Sequence, residues 1–266
     1  MKNICCIVNP VSGLKKSLKV YYEAKNLFEK SDFNTSLFVS KYPNHIKDYV
    51  SKIDKNSFDR IIVFGGDGSI NEVVNGLNDS NNLQSFKLGV IPTGSGNSVA
   101  HDTGLLDVKD AISKSLGDNI IKMDLNQVDF DSVSRLSVSV LGWGMFSYGN
   151  IRAEKLRLLG PMRYDVASII TLLEKKIHKA EVEVDGKLKL LECAFIVACN
   201  SKHTGKGMII APKGGFSDEK IDLISVGKDV NRFQVFEVFQ KVYKGTHINL
   251  PFVENIKVDS FSIDPG

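Results

Sequence analysis

Residues 64–77 leave few architectures open to this chain. They run Phe64-Gly65-Gly66-Asp67-Gly68-Ser69-Ile70-Asn71-Glu72-Val73-Val74-Asn75-Gly76-Leu77. The preceding residues 61–64 are uniformly apolar and read as a buried strand. Beyond the glycines, Ile70, Val73, Val74 and Leu77 fall at i, i+3, i+4 and i+7, one face of a helix. Ser69 with Glu72 three residues on has the form of a capping box. The local reading is strand, glycine turn, helix. Such a turn presents backbone N–H groups and a helix N-terminus, both of which attract phosphate.

Taken alone, Gly65-Gly66-Asp67-Gly68 is equally a tight turn. Two further loops change the balance. Asn9-Pro10-Val11-Ser12-Gly13 follows the apolar run 4–8, and Pro92-Thr93-Gly94-Ser95-Gly96-Asn97-Ser98 follows the run 88–91. Glycine-bearing loops thus end three strand-like runs, and in open α/β sheets the ligand gathers at those carboxyl ends. Helical patterns over 18–28, 46–53 and 105–116, the last with Ala111 and Ile112 inward, complete a series of βα units. These units predict an N-terminal, mainly parallel α/β domain with helices on both faces.

After about residue 118 the helical period gives way to alternation. Strands are expected over 128–140, 193–199, 220–226 and 256–263, with a hairpin over 181–190 turning at Asp185-Gly186. A long helical stretch at 151–177, broken at Gly160-Pro161, and a helix over 232–243 interrupt them. The expectation is an α/β domain at 1–118 and an antiparallel, β-rich, sandwich-like domain at 119–266. Hydrophobic content of 42% and charged content of 24% suit ordinary globular cores of this size.

A formal net charge of +3 gives no ground for nucleic-acid binding. No apolar run reaches the roughly 18–20 residues that span a bilayer, and no signal-peptide pattern follows Lys2. The chain reads as cytoplasmic, able to visit a membrane surface. Its four cysteines lack metal spacing and are expected as buried free thiols, with Cys5 and Cys6 on opposite faces of a strand.

Without a G-x-x-x-x-G-K-[ST] sequence, phosphate must be held by glycine turns, helix N-termini and scattered cations. Asp67 suits either of two tasks: accepting the proton of an attacking hydroxyl, or ordering Mg²⁺ and its waters. Its removal is expected to abolish activity and leave the fold intact. Arg152, Lys155, Arg157 and Arg163 are either phosphate-binding cations or a solvated helix face. The apolar residues between Leu156 and Leu173 either line a lipid pocket or pack a core. His203, Lys206 and Lys213, set around Gly205 and Gly207, read either as facing the cleft or, preferably, as an exposed polar loop.

Together the Asn9-Pro10 and Ser12-Gly13 pairs, Gly65-Gly66-Asp67-Gly68 with Glu72-Val73-Val74-Asn75-Gly76, and Gly94-Ser95-Gly96-Asn97 resemble the diacylglycerol kinase catalytic domain family of lipid kinases. Residues 154–163, Glu154 through Arg163, are similar to a segment of its sphingosine and ceramide kinase branch. The resemblance covers nearly the whole chain. It implies a two-domain ATP- and Mg²⁺-dependent kinase with the nucleotide in the cleft and a lipid alcohol as acceptor. Asn9, Ser12, Gly66, Gly68, Thr93, Gly96 and Asn97 become nucleotide contacts, Asp67 the catalytic residue, and Arg157 and Arg163 phosphate-binding cations. Asn150 and Glu154 fall at the lipid head group, and Asp124 in an acidic network near the nucleotide.

The chain departs from that pattern twice. Asn150 stands where those kinases carry an aspartate, and it offers neither a base nor a charge for a sphingoid ammonium. The sequence also ends at Asp264-Pro265-Gly266 without the family's Asp-Gly-Glu turn, which is read as truncation or absence. The expected partners are a lipid substrate and a transient membrane surface, with a homodimer left open. Alternatives are a non-catalytic nucleotide or lipid binding module, and a soluble-substrate kinase related to the NAD kinases.

Overall fold

A computed structural model describes residues 2–30, 33–156, 167, 170, 171, 174 and 176–265, with residues 146, 150, 153 and 154 described by backbone alone. The chain forms two compact units, Met1–Val138 with Gly205–Gly207, and Ser139–Thr204 with Met208–Gly266.

The first unit is built on four parallel strands, β1 (Lys2–Val8), β2 (Phe33–Val39), β3 (Arg60–Gly65) and β4 (Lys87–Pro92), in the order β2-β1-β3-β4. Strand β3 is buried along its whole length, as a strand covered on both faces must be. Alternation divides the side chains between two cores. Ile4, Cys6, Val8, Ile62 and Phe64 pack on Tyr21, Ala24 and Phe28 of α1 (Ser17–Glu29) and on Ala111 and Ile112 of α5 (Val108–Leu116). Cys5, Ile7, Ile61 and Val63 pack on Ile46 and Val50 of α2 (His45–Val50) and on Val73 and Leu77 of α3 (Asp67–Asp79). Cys5 and Cys6 therefore do face opposite ways, and burial pushes their thiols up to about 11 and about 12.

The strand order has a consequence for function. From β1 the chain crosses one way to β2, and then back past β1 to β3. The order therefore reverses between β1 and β3, the position at whose carboxyl ends open α/β sheets bind their ligands.

Two expectations are corrected in this unit. The helix expected over 105–116 is α5, which starts only at Val108, and a further helix, α4 (Ser98–Thr103), precedes it and ends at Gly104, which has φ +69°. The unit also runs past residue 118. The hairpin of β5 (Asn126–Phe130) and β6 (Val133–Ser137) belongs to it, because Asn75 of α3 binds β6. Asn75 Nδ2 donates to the Leu136 carbonyl at 2.8 Å, and Asn75 Oδ1 accepts from the Leu136 N–H at 2.9 Å. Val138 then packs with Ile70, Val74 and Val99. The change of period at 118 marks the end of a helix rather than the end of a core.

The second unit is an antiparallel sheet ordered β13-β12-β9-β8-β14. It comprises β8 (His178–Val184), β9 (Lys187–Cys199), β12 (Ile221–Gly227), β13 (Val253–Val258) and β14 (Phe261–Asp264). One edge of β9 pairs β8 over Lys187–Cys193 and then β7 (Val140–Gly144) over Phe195–Cys199. The expected hairpin turn is present, with Asp185 at φ +46° and Gly186 at φ +78°. Two positive φ values match the right-handed twist of the flanking strands. Asp185 Oδ1 also accepts the N–H groups of Asp259 and Ser260, which ties this turn to the one between β13 and β14. Ala194, Val197, Ile224 and Val226 on one sheet face pack on Val235, Val238 and Val242 of α7 (Arg232–Val242). Helix α6 (Met145–Lys155) begins earlier than the expected 151, directly after β7. The expected break at Gly160-Pro161 lies outside the described residues. The short strands β10 (His203–Thr204) and β11 (Met208–Ile209) form a separate hairpin. Among the described residues no helix is long and apolar enough to cross a membrane.

Candidate active site

In the first unit the three glycine loops meet as backbone against backbone. The ladder continues past the strands: the Asn9 N–H donates to the Phe64 carbonyl and the Thr93 N–H to the Gly65 carbonyl, each at 3.1 Å. The loops after β1, β3 and β4 are thereby drawn side by side. A Cβ on Gly13 would lie 1.7 Å from the Thr93 carbonyl oxygen, and one on Gly94 would lie 2.4 Å from the Gly66 Cα. No side chain fits at either contact, which accounts for glycine at both.

Side chains lock the same junction. Asn9 Nδ2 donates to Ser69 Oγ at 3.0 Å, bridging the loops after β1 and β3. The buried hydroxyls of Ser17 and Thr93 lie 2.7 Å apart, bridging the loops after β1 and β4. Thr93 thus turns its hydroxyl into the unit. The Ser12 N–H donates to the Asn9 carbonyl, and the following residues Gly13, Leu14 and Lys15 all have positive φ. Left-handed backbone at two non-glycine residues costs of order 1–3 kcal/mol each and concentrates at ligand clamps.

Asp67 stands at the first position of α3 and joins the second loop to the third. Its Oδ2 accepts from the Ser98 N–H at 3.0 Å and the Ser98 hydroxyl at 3.1 Å, and its Oδ1 accepts from the Val99 N–H at 3.2 Å. The carboxylate therefore caps α4 from a distant part of the chain, where Asn97 makes no side-chain cap of its own. Oδ1, with one donor, keeps lone-pair capacity for a proton or a metal-bound water. Removing Asp67 would forfeit this cap, at a cost of about 1 kcal/mol.

The expected capping box at Ser69 does not form. Helix α3 starts three residues earlier, with Gly66 at its N-cap and no side-chain cap bond. Ser69 serves Asn9 instead, and Glu72 Oε2 accepts the Ile46 N–H at the start of α2 at 3.1 Å. Gly76 admits α2 closely, because a Cβ there would meet the Lys47 carbonyl at 2.7 Å.

Two features of the junction fit a bound phosphate ester. Gly68 is exposed, and a Cβ on it would meet nothing within 4 Å. Glycine in a helix is unfavourable by roughly 0.5–1 kcal/mol relative to alanine, and no protein contact here requires it. The space lies over the first turn of α3, where amide N–H groups have no intrahelical partner. Asn97 is the second feature. At φ +57° its Nδ2 donates to the Gly94 carbonyl at 2.9 Å, while its Oδ1 is buried without a partner. That acceptor sits among the glycines with no donor among the described residues, and has capacity for one from a ligand.

Gly205–Gly207, which the sequence reading left as an exposed loop, is part of this unit. A Cβ on Gly96 would come within 3.3 Å of the Gly205 Cα, and one on Gly207 within 2.9 Å of the His101 ring. The paired glycines around Lys206, itself at φ +54°, were the available signal for a close backbone approach. Asp124 lies half-buried in the extended segment between α5 and β5. Among the described residues no group of three or more His, Cys, Asp or Glu side chains is placed to hold a metal ion.

In the second unit Arg157 and Arg163 lie outside the described residues. Asn150 and Glu154 are on α6 with their side chains outside the description. Arg152 is ion-paired with Glu174, whose carboxyl it holds below the usual range, and also donates to Thr171 Oγ1. Near the start of α6, the His178 ring lies between Trp143 and Tyr148, at 5.3 and 5.5 Å between ring centroids, with its Nε2 buried and unpartnered. Burial first, and then the Lys176 charge, lower its pKa. No local sequence pattern pointed to it.

Comparison with known proteins agrees with this architecture. Residues 3–128 match the diacylglycerol kinase catalytic domain, and residues 139–266 match the YegS C-terminal NAD kinase beta sandwich-like domain. Sphingosine kinase 2 of Arabidopsis thaliana is 27% identical over 316 residues, covering 100% of this chain and 65% of the relative. Diacylglycerol kinase of Bacillus subtilis (strain 168) is 28% identical over 252 residues, covering 94% of this chain and 81% of the relative. A crystal structure of a diacylglycerol kinase from Bacillus anthracis str. Sterne superposes with a TM-score of 0.75 at 20% identity, covering 98% of this chain and 85% of that one. The chain spans about two thirds of the plant sphingosine kinase, 65% of its length. Matched in order and together over nearly the whole length, the chain carries a diacylglycerol kinase catalytic domain followed by a YegS C-terminal NAD kinase beta sandwich-like domain.

Proposed function

We propose that the chain is an ATP-dependent lipid kinase, transferring the γ-phosphoryl group of MgATP to a hydroxyl of a sphingoid, ceramide or diacylglycerol-type lipid. The observation that carries this reading is the cleared space at Gly68 over the first turn of α3, beside the Asp67 carboxylate. The names of the relatives, a sphingosine kinase and a diacylglycerol kinase, support the acceptor class.

In this reading the backbone around Gly66, Gly68 and Gly96 cradles the phosphates, and Asn9, Ser12, Thr93 and Asn97 hold the nucleotide or the loops that face it. The Asn97 Oδ1 accepts a hydrogen bond from the nucleotide or its hydration shell. Asp67, with Asp124 as a further candidate, would hold Mg²⁺, which would supply neutralisation of phosphate charge. Arg157 and Arg163 supply further positive charge on the phosphates. Asn150 and Glu154 orient the lipid head group. Asn150 carries no charge, which suits a neutral lipid alcohol better than a sphingoid ammonium. The lipid hydroxyl oxygen bonds to the γ-phosphorus as the bond to the bridging oxygen breaks. Its proton passes to Asp67 Oδ1 or to a water held there. Positioning and charge neutralisation provide the rate.

The test is phosphorylation from labelled ATP of sphingosine, ceramide, diacylglycerol and monoacylglycerol, with Asp67→Asn alongside. A labelled product from one lipid, absent in the variant, is expected. No product from any of them, with MgATP binding intact, would overturn the kinase reading in favour of a binding module. The variant should also unfold at lower urea, by about 1 kcal/mol, because one donor of α4 then faces an amide instead of a carboxylate.

A further inference from the structure

Helix α7 is apolar on two sides. Val235, Val238 and Val242 face the core of the second unit. A second stripe faces water: Phe233 is 86% exposed, Phe236 46%, Phe239 36% and Tyr243 50%. At 100° per residue these four lie within about a third of the helix circumference. A surface helix ordinarily carries polar residues there, and contiguous exposed apolar patches on single proteins mark interaction sites. Arg232 lies within the stripe at the first helical residue, and Lys244 borders it just past the last, both exposed. The single acid of the helix, Glu237, is ion-paired with Lys241.

We infer that α7 is an interfacial helix that seats this protein on an anionic lipid surface, its aromatic stripe entering the head-group layer and Arg232 and Lys244 meeting lipid phosphates. The inference rests on the lipid-kinase reading for its purpose, not for its geometry. Aromatic rings are the side chains that settle at the head-group level, and an apolar face bordered by cations is the composition of helices that lie in that plane. Eleven residues give about 16 Å of helix, too short to cross a hydrocarbon core of about 30 Å. The helix is also anchored by its valines, so it lies on the surface as part of the folded unit.

A second copy of the chain is the competing occupant, and the charges argue against it. A two-fold contact brings the same patch against itself. If the helices ran antiparallel, Arg232 would face the other Lys244, and if parallel, each cation would face its equal. Both arrangements oppose like charges, whereas an anionic lipid surface complements them.

The experiment is sedimentation of the full chain with vesicles of phosphatidylcholine alone, and of phosphatidylcholine with phosphatidylglycerol. ATP is omitted, so binding is read without catalysis, and a failed kinase assay leaves this result unaffected. The protein should bind the anionic vesicles, more weakly at high salt. Phe233→Ser with Phe236→Ser should weaken binding by more than about ten-fold, and Arg232→Glu with Lys244→Glu should remove the preference for anionic lipid. All four sites are exposed, and unchanged circular dichroism will show that the variants fold. Equal binding by the wild type and both double variants would overturn the proposal. So would an absence of vesicle binding, or a wild-type dimer in analytical ultracentrifugation that the aromatic variant converts to monomer.

Discussion

Gly68 is a glycine that nothing in the protein requires. Gly13, Gly66 and Gly94 are each pressed against another backbone, whereas Gly68 looks into open space from the first turn of a helix. A residue that weakens its own helix and fills no tight contact is explained by what approaches it from outside. Gly68→Ala separates the two demands. Alanine should raise helix stability by up to about 1 kcal/mol, seen as a higher urea midpoint. The added methyl should reduce nucleotide affinity, read by titration with a fluorescent ATP analogue. A stabilised variant that binds the analogue as well as the wild type would mean that the space over α3 is not a phosphate site.

At the scale of elements, helix α3 organises its unit through side chains that look like a motif in sequence and act as fasteners in space. Asp67 caps α4, Glu72 binds an amide in the first turn of α2, Asn75 grips β6, and Gly76 lets α2 approach. Asn75→Ala would leave both the N–H and the carbonyl of Leu136 without their partner, at about 1–3 kcal/mol for a buried unsatisfied group. The expected result is faster hydrogen exchange at the Leu136 amide, with the amides of β1 and β3 still protected. Uniform loss of protection would show that the hairpin has no separable attachment. These fasteners also explain what was legible in the chain. The buried face of α3 was readable because Ile70, Val73, Val74 and Leu77 repeat at the helical period. The glycine loops were readable because each follows an apolar run. The caps were not, because Asp67 and Ser98 are joined only by the fold, and Ser69 with Glu72 offered a nearer but unused pairing. The unit boundary was missed for the same reason: alternation in β5 and β6 identified strands, but the Asn75 bonds decide which core they join. Gly205–Gly207 reaches the candidate site from far along the chain: its paired glycines signal a close backbone approach but not which part of the chain is approached.

The molecule as a whole should respond to acid through a residue remote from the candidate site. His247 follows α7 in the turn Thr246–Asn249 and is fully buried in the second unit. Its Nε2 lies 2.9 Å from the Ile210 carbonyl, which can only accept, so Nε2 carries the proton of a neutral ring. Nδ1 is then a buried lone pair with no donor near it. Protonating it would place a charge in the core with no acceptor for the new N–H. Burial accordingly lowers the pKa of His247 below its ordinary value, against a smaller opposing effect of the Ile210 bond. The unfolded chain takes up this proton at the ordinary value of about 6.5, while the folded chain waits until a lower pH. Between those two values the unfolded state binds more protons, so stability rises with pH across the window and falls as the solution is acidified through it. Glutamine is uncharged at every pH and retains an N–H donor for Ile210. His247→Gln should therefore flatten the stability curve below about pH 6.5, measured by urea denaturation at half-unit steps from pH 7.5 to 5. A slope unchanged by the substitution would assign the acid sensitivity of the second unit to other groups, of which His178, also lowered by burial, is the next to replace.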